Sequence, residues 1–310
     1  MTVANPITPE TDPLRPPQLL DLTNLARALI TRRGWLILFG LVDLIVINEV
    51  INNPEVVKVW NYVLPGLGGT IKITVISFII AIVIGLVVAF GRISKNLIVY
   101  NLSTFYVEIF RGLPLLVIIL LFNFVITPAL VDFVAGTDPA AGPRIPFLDD
   151  LLQQLVGINP EQISKSVLRT RDIESEVRIV LAFAITYGAF MSEVFRAGIE
   201  SIGRGQIEAG RSLGMNYLQV MYYIILPQAV RNILPALVNN FVFLLKDTSL
   251  ASAVAVPEIS YLTRQYSSTN FRYPEGLLVL SFLYANLTII LSMGSLYLEN
   301  SLHKDRRSTR

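Results

Sequence analysis

Three stretches of this chain run the width of a membrane without a charge: Ile73–Gly91, Gly112–Val131 and Gly276–Leu298. Charged residues bracket each one: Lys72 and Arg92, Arg111 and Asp132, Glu275 and Glu299. A hydrocarbon core about 30 Å thick takes about 20 apolar residues in a helix, so each stretch predicts one span. Three further segments show the same apolar character with interruptions. Gly34–Val50 contains Asp43, Arg178–Ile199 contains Glu193 and Arg196, and Asn232–Val256 contains Lys246 and Asp247. The pattern predicts an all-α integral membrane protein of about six transmembrane helices.

Basic residues set the orientation. Arg27, Arg32 and Arg33 precede the first span, and Arg92 and Lys95 follow the second. Arg204, Arg211 and Arg231 lie between the fourth and fifth, and Lys304, Arg306, Arg307 and Arg310 end the chain. With six spans these groups share one side, which places both termini in the cytoplasm. The connection from Phe133 to Val177 falls on the other side although it carries Arg144, Lys165, Arg169 and Arg171; long loops weigh little in this rule. Met1–Pro17 holds five prolines and few apolar side chains, so residues 1–33 are expected to be a disordered cytoplasmic tail.

Composition agrees: 53% of the 310 residues are hydrophobic, 15% are charged, and mean hydropathy is +0.58. A soluble domain carries about 25% charged residues. With no cysteine there is no disulfide or thiolate chemistry, and the single histidine, His303, has no partner histidine for a metal. A net charge of +2 gives no sign of nucleic-acid binding.

The segment between the fourth and fifth spans is the most informative. Glu208-Ala209-Gly210 is followed after three residues by Gly214, and after nine more by Ile224-Ile225-Leu226-Pro227. Glu208 and Arg211 belong on a small exposed helix. The spacing resembles the "EAA" loop by which membrane subunits of ABC importers dock their ATPase, with Gly210 where alanine is commoner. Gly205–Ser212 also comes close to a phosphate-binding loop. However, Arg211 stands where lysine is required and no strand precedes it, so nucleotide binding is rejected. Gly66-Leu67-Gly68-Gly69 lacks such a lysine too and reads as a flexible hinge into its span. No nucleophile set or paired carboxylates at helical spacing point to an enzyme.

Further segments carry a resemblance to one subfamily. They are Gly69–Arg92, Glu108–Leu116 around Phe110-Arg111-Gly112-Leu113-Pro114, Tyr187–Ile199, and Leu244-Leu245-Lys246-Asp247-Thr248-Ser249-Leu250. Together they are similar to permease subunits of polar amino-acid ABC transporters, with Leu113 where threonine is usual. The resemblance covers 66–299. It implies a type I importer fold with a core of five helices, to which 34–51 adds an N-terminal helix. Residues 133–177 then form an extracytoplasmic insertion, 200–230 a cytoplasmic docking loop, and 300–310 a basic cytoplasmic tail. It also implies a bacterial plasma membrane location and ATP bound and hydrolysed on a separate subunit, with no cofactor here. The implied partners are ATPase subunits, a second permease, identical or homologous, an extracytoplasmic binding protein, and membrane lipid. ATPase docking falls on Glu208, Ala209, Gly210, Arg211, Gly214 and Pro227.

Ionisable groups inside spans usually face a cavity or a partner, since exposure to lipid costs a few kcal/mol at least. Glu193 can meet a substrate amino group, or pair with Arg196 on the same helix face. Asp247, Thr248 and Ser249 can contact substrate or a gate, and Asp247 can instead pair with Arg111. Arg111 precedes Gly112 and Pro114, which break a helix and free backbone groups to line a cavity; otherwise it snorkels to the interface. The substrate-binding candidates are therefore Glu193, Asp247, Thr248, Ser249 and Arg111. An ion-coupled transporter or channel acting alone is the competing function, and it leaves the docking loop unexplained. The topology predicts that a reporter fused after Arg310 reads as inside and one inserted at Gly142 as outside; both on one side would refute six spans.

Overall fold

The computed structural model describes residues 22–135 and 173–308, with side chains over 34–131 and 173–297. The sequence expectations for residues 1–21 and for most of the insertion fall outside these. Helix α1 (Leu22–Asn52) begins ahead of the apolar run, so part of the expected tail is helical; Leu25-Ala26-Arg27-Ala28-Leu29 are good helix formers. It belongs to one compact unit, and Glu55 onward forms a second.

The second unit opens with α2 (Pro54–Val63) and α3 (Gly66–Ile93). Helix α4 (Leu97–Gly112) starts where the Asn96 side chain accepts hydrogen bonds from the amides of Ile98 and Val99. It stops at Leu113-Pro114, because the residue before proline is driven out of helical backbone. Helix α5 (Leu115–Leu121) then leaves at 107° to α4, runs through a π turn (Phe122–Ile126), and continues as α6 (Thr127–Ala135). Next come α7 (Ser175–Glu200), α8 (Arg204–Ser212) and α9 (Tyr217–Val220), and a second π turn (Met221–Ile225) leads into α10 (Leu226–Asp247). A 3₁₀ segment (Thr248–Val254), α11 (Ile259–Asn270) and α12 (Tyr273–Ser308) close the chain. Among the described residues five helical runs are long and apolar enough to span a membrane, and the bent α4–α5 pair makes a sixth.

The core is the contact of α3 with α7, which run side by side in the same direction: Lys72 pairs with Glu176 at their starts and Arg92 with Glu193 toward their ends. Small residues line the contact: Ser77, Ala81, Gly85 and Ala89 on α3, Ala182, Ala189 and Ser192 on α7, all buried. A Cβ on Gly85 would stand 2.7 Å from the Met191 Cβ and 3.0 Å from the Gly188 oxygen, so the two backbones touch. One on Gly188 would meet Ile84 at 2.7 Å and the Tyr106 hydroxyl at 3.0 Å, which brings α4 into the same contact. Tyr106 also donates its hydroxyl hydrogen to the Ile185 carbonyl. Apolar burial drives helix association weakly in lipid, so close packing of small residues takes over that work. Outward, α3 presents Ile79, Val83 and Val87 as an exposed apolar stripe suited to lipid.

The Gly66–Gly69 cluster is a packing surface, not the flexible hinge its composition predicts. A Cβ on Gly66 would lie 2.8 Å from the backbone of Glu258 and Ile259, and one on Gly69 would lie 2.3 Å from the Pro257 oxygen. The entry to α11 crosses α3 there, and the Ile259 amide donates to the Thr70 hydroxyl at 3.3 Å. Gly85→Ala is expected to lower stability by about 1–3 kcal/mol through overpacking, read as a lower thermal midpoint in detergent. Gly68→Ala, where nothing lies within 4 Å, is expected to leave the midpoint unchanged.

Candidate functional site

Three separate polar features carry the candidate residues. The first is the elbow of α8 and α9 at the end of the molecule where α7 terminates. Glu208, Ala209 and Arg211 are exposed on α8, while Gly210 turns inward. A Cβ on Gly210 would meet the Ile224 Cδ1 at 2.7 Å and the Val220 Cγ2 at 3.0 Å, so this glycine lets α8 lie directly on the following helix. Gly214 works differently. Nothing lies within 4 Å of where its Cβ would be, but its φ is +80°, the left-handed backbone that closes a helix. The Met215 amide then donates to the Gly210 carbonyl at 3.2 Å. Asn216 and Gln219 form a reciprocal capping box that starts α9, and Pro227 sits in the first turn of α10. Leu213, Leu218, Tyr222 and Tyr223 are exposed around the elbow, each 65% or more. This surface of apolar knobs and two opposite charges is fixed by its own caps. The near-match to a phosphate loop is plain helix here.

The second feature is an ion cluster about two turns of α7 above the elbow. The Glu193 Oε1 accepts from Arg92 at the end of α3 and from Arg111 at the end of α4, the latter at 3.1 Å. The Glu193 Oε2 accepts from the Arg196 Nη2 at 2.7 Å and Nε at 3.2 Å. Arg196 reaches on to Glu200 at 2.6 Å, and the Arg111 guanidinium lies 5.8 Å from the Phe190 ring centroid. Both oxygens of Glu193 are thus engaged by arginines. Glu193 makes the expected pair with Arg196 and gains two further arginines, so three guanidiniums from three helix segments reach one carboxylate. Arg111 meets Glu193, not Asp247. Arg92 carries no mark of this role in the sequence, where it reads as a span-flanking positive charge.

The third feature lies where α10 gives way to the 3₁₀ segment. The Asp247 Oδ2 accepts a 2.7 Å hydrogen bond from the Tyr187 hydroxyl on α7. Tyr187 and Glu193 are six residues apart on one helix, about 9 Å of rise. Asp247 and Glu193 thus bond different partners, Asp247 the Tyr187 hydroxyl and Glu193 the three arginines. Thr248 is fully buried and returns its hydroxyl to the Leu245 carbonyl at 2.6 Å. Lys246 and Ser249 open into a groove of about 490 Å³ whose far wall is α12, with Ser281, Tyr284 and Thr288. Lys246 also stands 4.7 Å from the Phe243 ring centroid.

Beside this groove lies a group that the sequence does not reveal. Glu258 is wholly buried and caps α11, accepting from the Ser260 amide at 2.8 Å, the Tyr261 amide at 2.6 Å and the Tyr284 hydroxyl at 2.9 Å. Burial pushes its carboxyl above the usual range, and the three donors pull it back only in part. Glutamate is not among the favoured N-cap residues, so no local signal marks it. None of the described residues forms a cluster of three or more metal-ligating side chains.

The elbow makes a direct test of local geometry. Gly214→Val forces a branched side chain into left-handed backbone, at about 1–2 kcal/mol. It is expected to speed hydrogen–deuterium exchange over residues 204–220 with the spans unaffected. Gly214→Asn, which tolerates that region, is expected to stay close to the natural protein.

Comparison with known proteins gives the family. Residues 81–304 match the family described as binding-protein-dependent transport system inner membrane component. The probable glutamine ABC transporter permease GlnM of Bacillus subtilis is 32% identical over 76% of this chain and 90% of its own length. The glutamate/aspartate import permease GltK of Escherichia coli is 30% identical over 77% and 92% respectively. A crystal structure of an amino acid ABC transporter with histidines superposes with a TM-score of 0.62 at 29% identity, covering 80% of this chain and 97% of that one. The MetNI methionine transporter, 17% identical with a TM-score of 0.53, shares the fold. With the family matched over residues 81–304, and with relatives 30% identical or more aligned over most of their own length, this chain belongs to the multi-pass membrane permease subunits of binding-protein-dependent ABC importers.

Proposed function

We propose that this chain imports polar amino acids as one of two permease subunits, fed by an extracytoplasmic binding protein and driven by ATPase subunits docked on α8 and α9. ATP is bound and hydrolysed on those partner subunits, and the chain itself uses no cofactor. The protein sits in the bacterial plasma membrane with both termini in the cytoplasm. Residues 66–299 are its transport core, 34–51 an added helix, 133–177 an outer insertion, 200–230 the inner docking loop, and 300–310 an inner basic segment. The observation that carries this reading is the elbow: a short helix whose Glu208, Ala209 and Arg211 face outward, locked by Gly214, among exposed Leu213, Leu218 and Tyr222. A transporter working alone has no use for such a surface. Relatives named for glutamine and for glutamate/aspartate support the substrate class.

Substrate recognition falls on the α10–3₁₀ junction. An amino acid carries an ammonium and a carboxylate, and desolvating either requires a partner of opposite charge or several hydrogen bonds. Lys246 and Asp247 supply both signs side by side, and Ser249 adds a hydroxyl in the same groove as Lys246. Thr248 shapes the junction from within. Glu193 and Arg111, whose charges answer each other and their arginine neighbours, stand outside this site.

The test is uptake of radiolabelled glutamine, glutamate, arginine and histidine into proteoliposomes holding the permease, its ATPase and its binding protein. ATP-dependent uptake of at least one is expected; none, in an assembled complex, overturns the reading. Asp247→Asn is expected to assemble and retain basal ATP hydrolysis while apparent substrate affinity weakens about tenfold or more, the worth of a charged hydrogen bond. Natural uptake kinetics in that variant would remove Asp247 from the site.

A further inference from the structure

The ion hub joins the docking elbow to the sharp break between α4 and α5. Glu193 lies two helical turns before Glu200, where α7 ends and the chain passes through Ser201–Gly203 into α8. That last stretch of α7 is clamped to α10. A Cβ on Gly198 would stand 2.1 Å from the Ile233 Cγ1, and the Asn232 amide donates to the Ser201 hydroxyl at 2.9 Å. The elbow, the end of α7 and the start of α10 are therefore packed together. On the other side of the hub, Arg111 immediately precedes Gly112-Leu113-Pro114, where α4 turns through 107° into α5. Gly112 has nothing within 4 Å of where its Cβ would be, so no close packing pins the bend at that residue.

The three arginines are held unequally. The Arg92 side chain is 10% exposed and Arg196 grips the second oxygen through two nitrogens, whereas Arg111 is 43% exposed and makes one 3.1 Å bond. Counting Arg92, Arg111 and Arg196 against Glu193 and Glu200, three positive charges meet two negative ones and leave one in excess. Arg111 shares its acceptor oxygen with Arg92 and has the weakest hold. Arg111 is therefore the contact that can be lost while Arg92 and Arg196 stay on the carboxylate, and coupling between sites needs an element with two such arrangements.

We propose that the Arg111–Glu193 contact is a releasable latch tying the α4–α5 bend to the docking elbow, and that Arg92 is the positioning residue that holds Glu193 in reach. Movement of α8 carries Glu193 with α7; the latch passes that movement to the bend or lets go of it. None of these residues touches substrate in this scheme. The proposal rests on the reading above that an ATPase docks on α8.

The experiment uses the full complex in proteoliposomes, with glutamine and glutamate as probe substrates. Arg111→Gln leaves Arg92 and Arg196 on the carboxylate and is expected to assemble normally. Its substrate-stimulated ATP hydrolysis and maximal uptake rate are expected to fall about tenfold, within the ordinary range of coupling between sites, while basal hydrolysis and KM for uptake stay unchanged. Arg111→Lys is expected to recover part of the rate. Glu193→Gln is expected to show the same split. Should it assemble poorly, Arg111→Gln decides the matter by itself. A raised KM would make Arg111 a substrate contact, and unchanged coupling would make the pair structural only; either overturns the latch. Failure of the docking reading is distinguishable, because the natural complex would then show no ATP-driven uptake at all. Because the chain has no cysteine, spin labels at L102C on α4 and F124C beyond the bend, both exposed in this chain, give a second readout. A non-hydrolysable ATP analogue is expected to shift their separation in the natural background and not in Arg111→Gln; the same shift in both overturns the proposal.

Discussion

Everything in the transport core hangs on the backbone contact between α3 and α7. Two helices in lipid gain little from burying apolar side chains against each other, because lipid tails are just as apolar. They associate by coming close, and Gly85 and Gly188 permit it by having no side chain where Met191, Ile84 and Tyr106 need the space. Other elements attach to that pair in turn. The Tyr106 hydroxyl ties α4 to the Ile185 carbonyl, Phe78 meets Phe241 of α10 edge to face with centroids 5.0 Å apart, and Gly198 seats Ile233.

Polar groups then fall at successive heights along this scaffold. At the end away from the elbow, Lys72 of α3 pairs with Glu176 of α7 at 2.8 Å, and Arg178 donates to Asn123 at the π turn at 3.1 Å. Asp247 and Tyr187 meet part way along α7, and the Glu193 hub lies nearer the elbow. Most of these contacts bridge two helices. A buried polar group left unpaired costs about 1–3 kcal/mol, so the more buried contacts, Asp247 with Tyr187 and Glu193 with Arg92, help specify which helices lie side by side. A permease needs polar surface along its length and a rigid frame around it, and paired layers supply both. One layer, beside the groove of Lys246 and Ser249, stays open enough for a small solute.

The elbow shows how two glycines four residues apart serve different physical ends. Gly210 is about space, since α8 lies on Val220 and Ile224 only if no methyl intervenes. Gly214 is about conformation, with open space around it and a φ of +80°. Together they fix how the polar helix α8 leaves the bundle.

Much of this was legible in the chain. Uncharged runs bounded by charges predict α3, the α5–α6 run and α12, because about 20 apolar residues in a helix match the hydrocarbon core. The elbow is legible because Glu208-Ala209-Gly210, Gly214 and Ile224-Ile225-Leu226-Pro227 resemble the EAA loop of ABC importer membrane subunits. Gly112-Leu113-Pro114 announces the break for the same reason: proline acts on its immediate neighbours. The sequence alone could not decide partners. Glu193 has Arg196 three residues away, but Arg92 and Arg111 reach it only because α3 and α4 end at the same height on α7. Gly66 and Gly69 look like a flexible hinge until Pro257 and Glu258, far along the chain, are laid across them. Glu258 itself carries no local signature. Hydropathy and turn chemistry are properties of neighbours in the chain, so sequence determines where helices start, stop and cross the membrane. Ion pairs and close glycine contacts are properties of neighbours in space, and only the packed bundle assigns them.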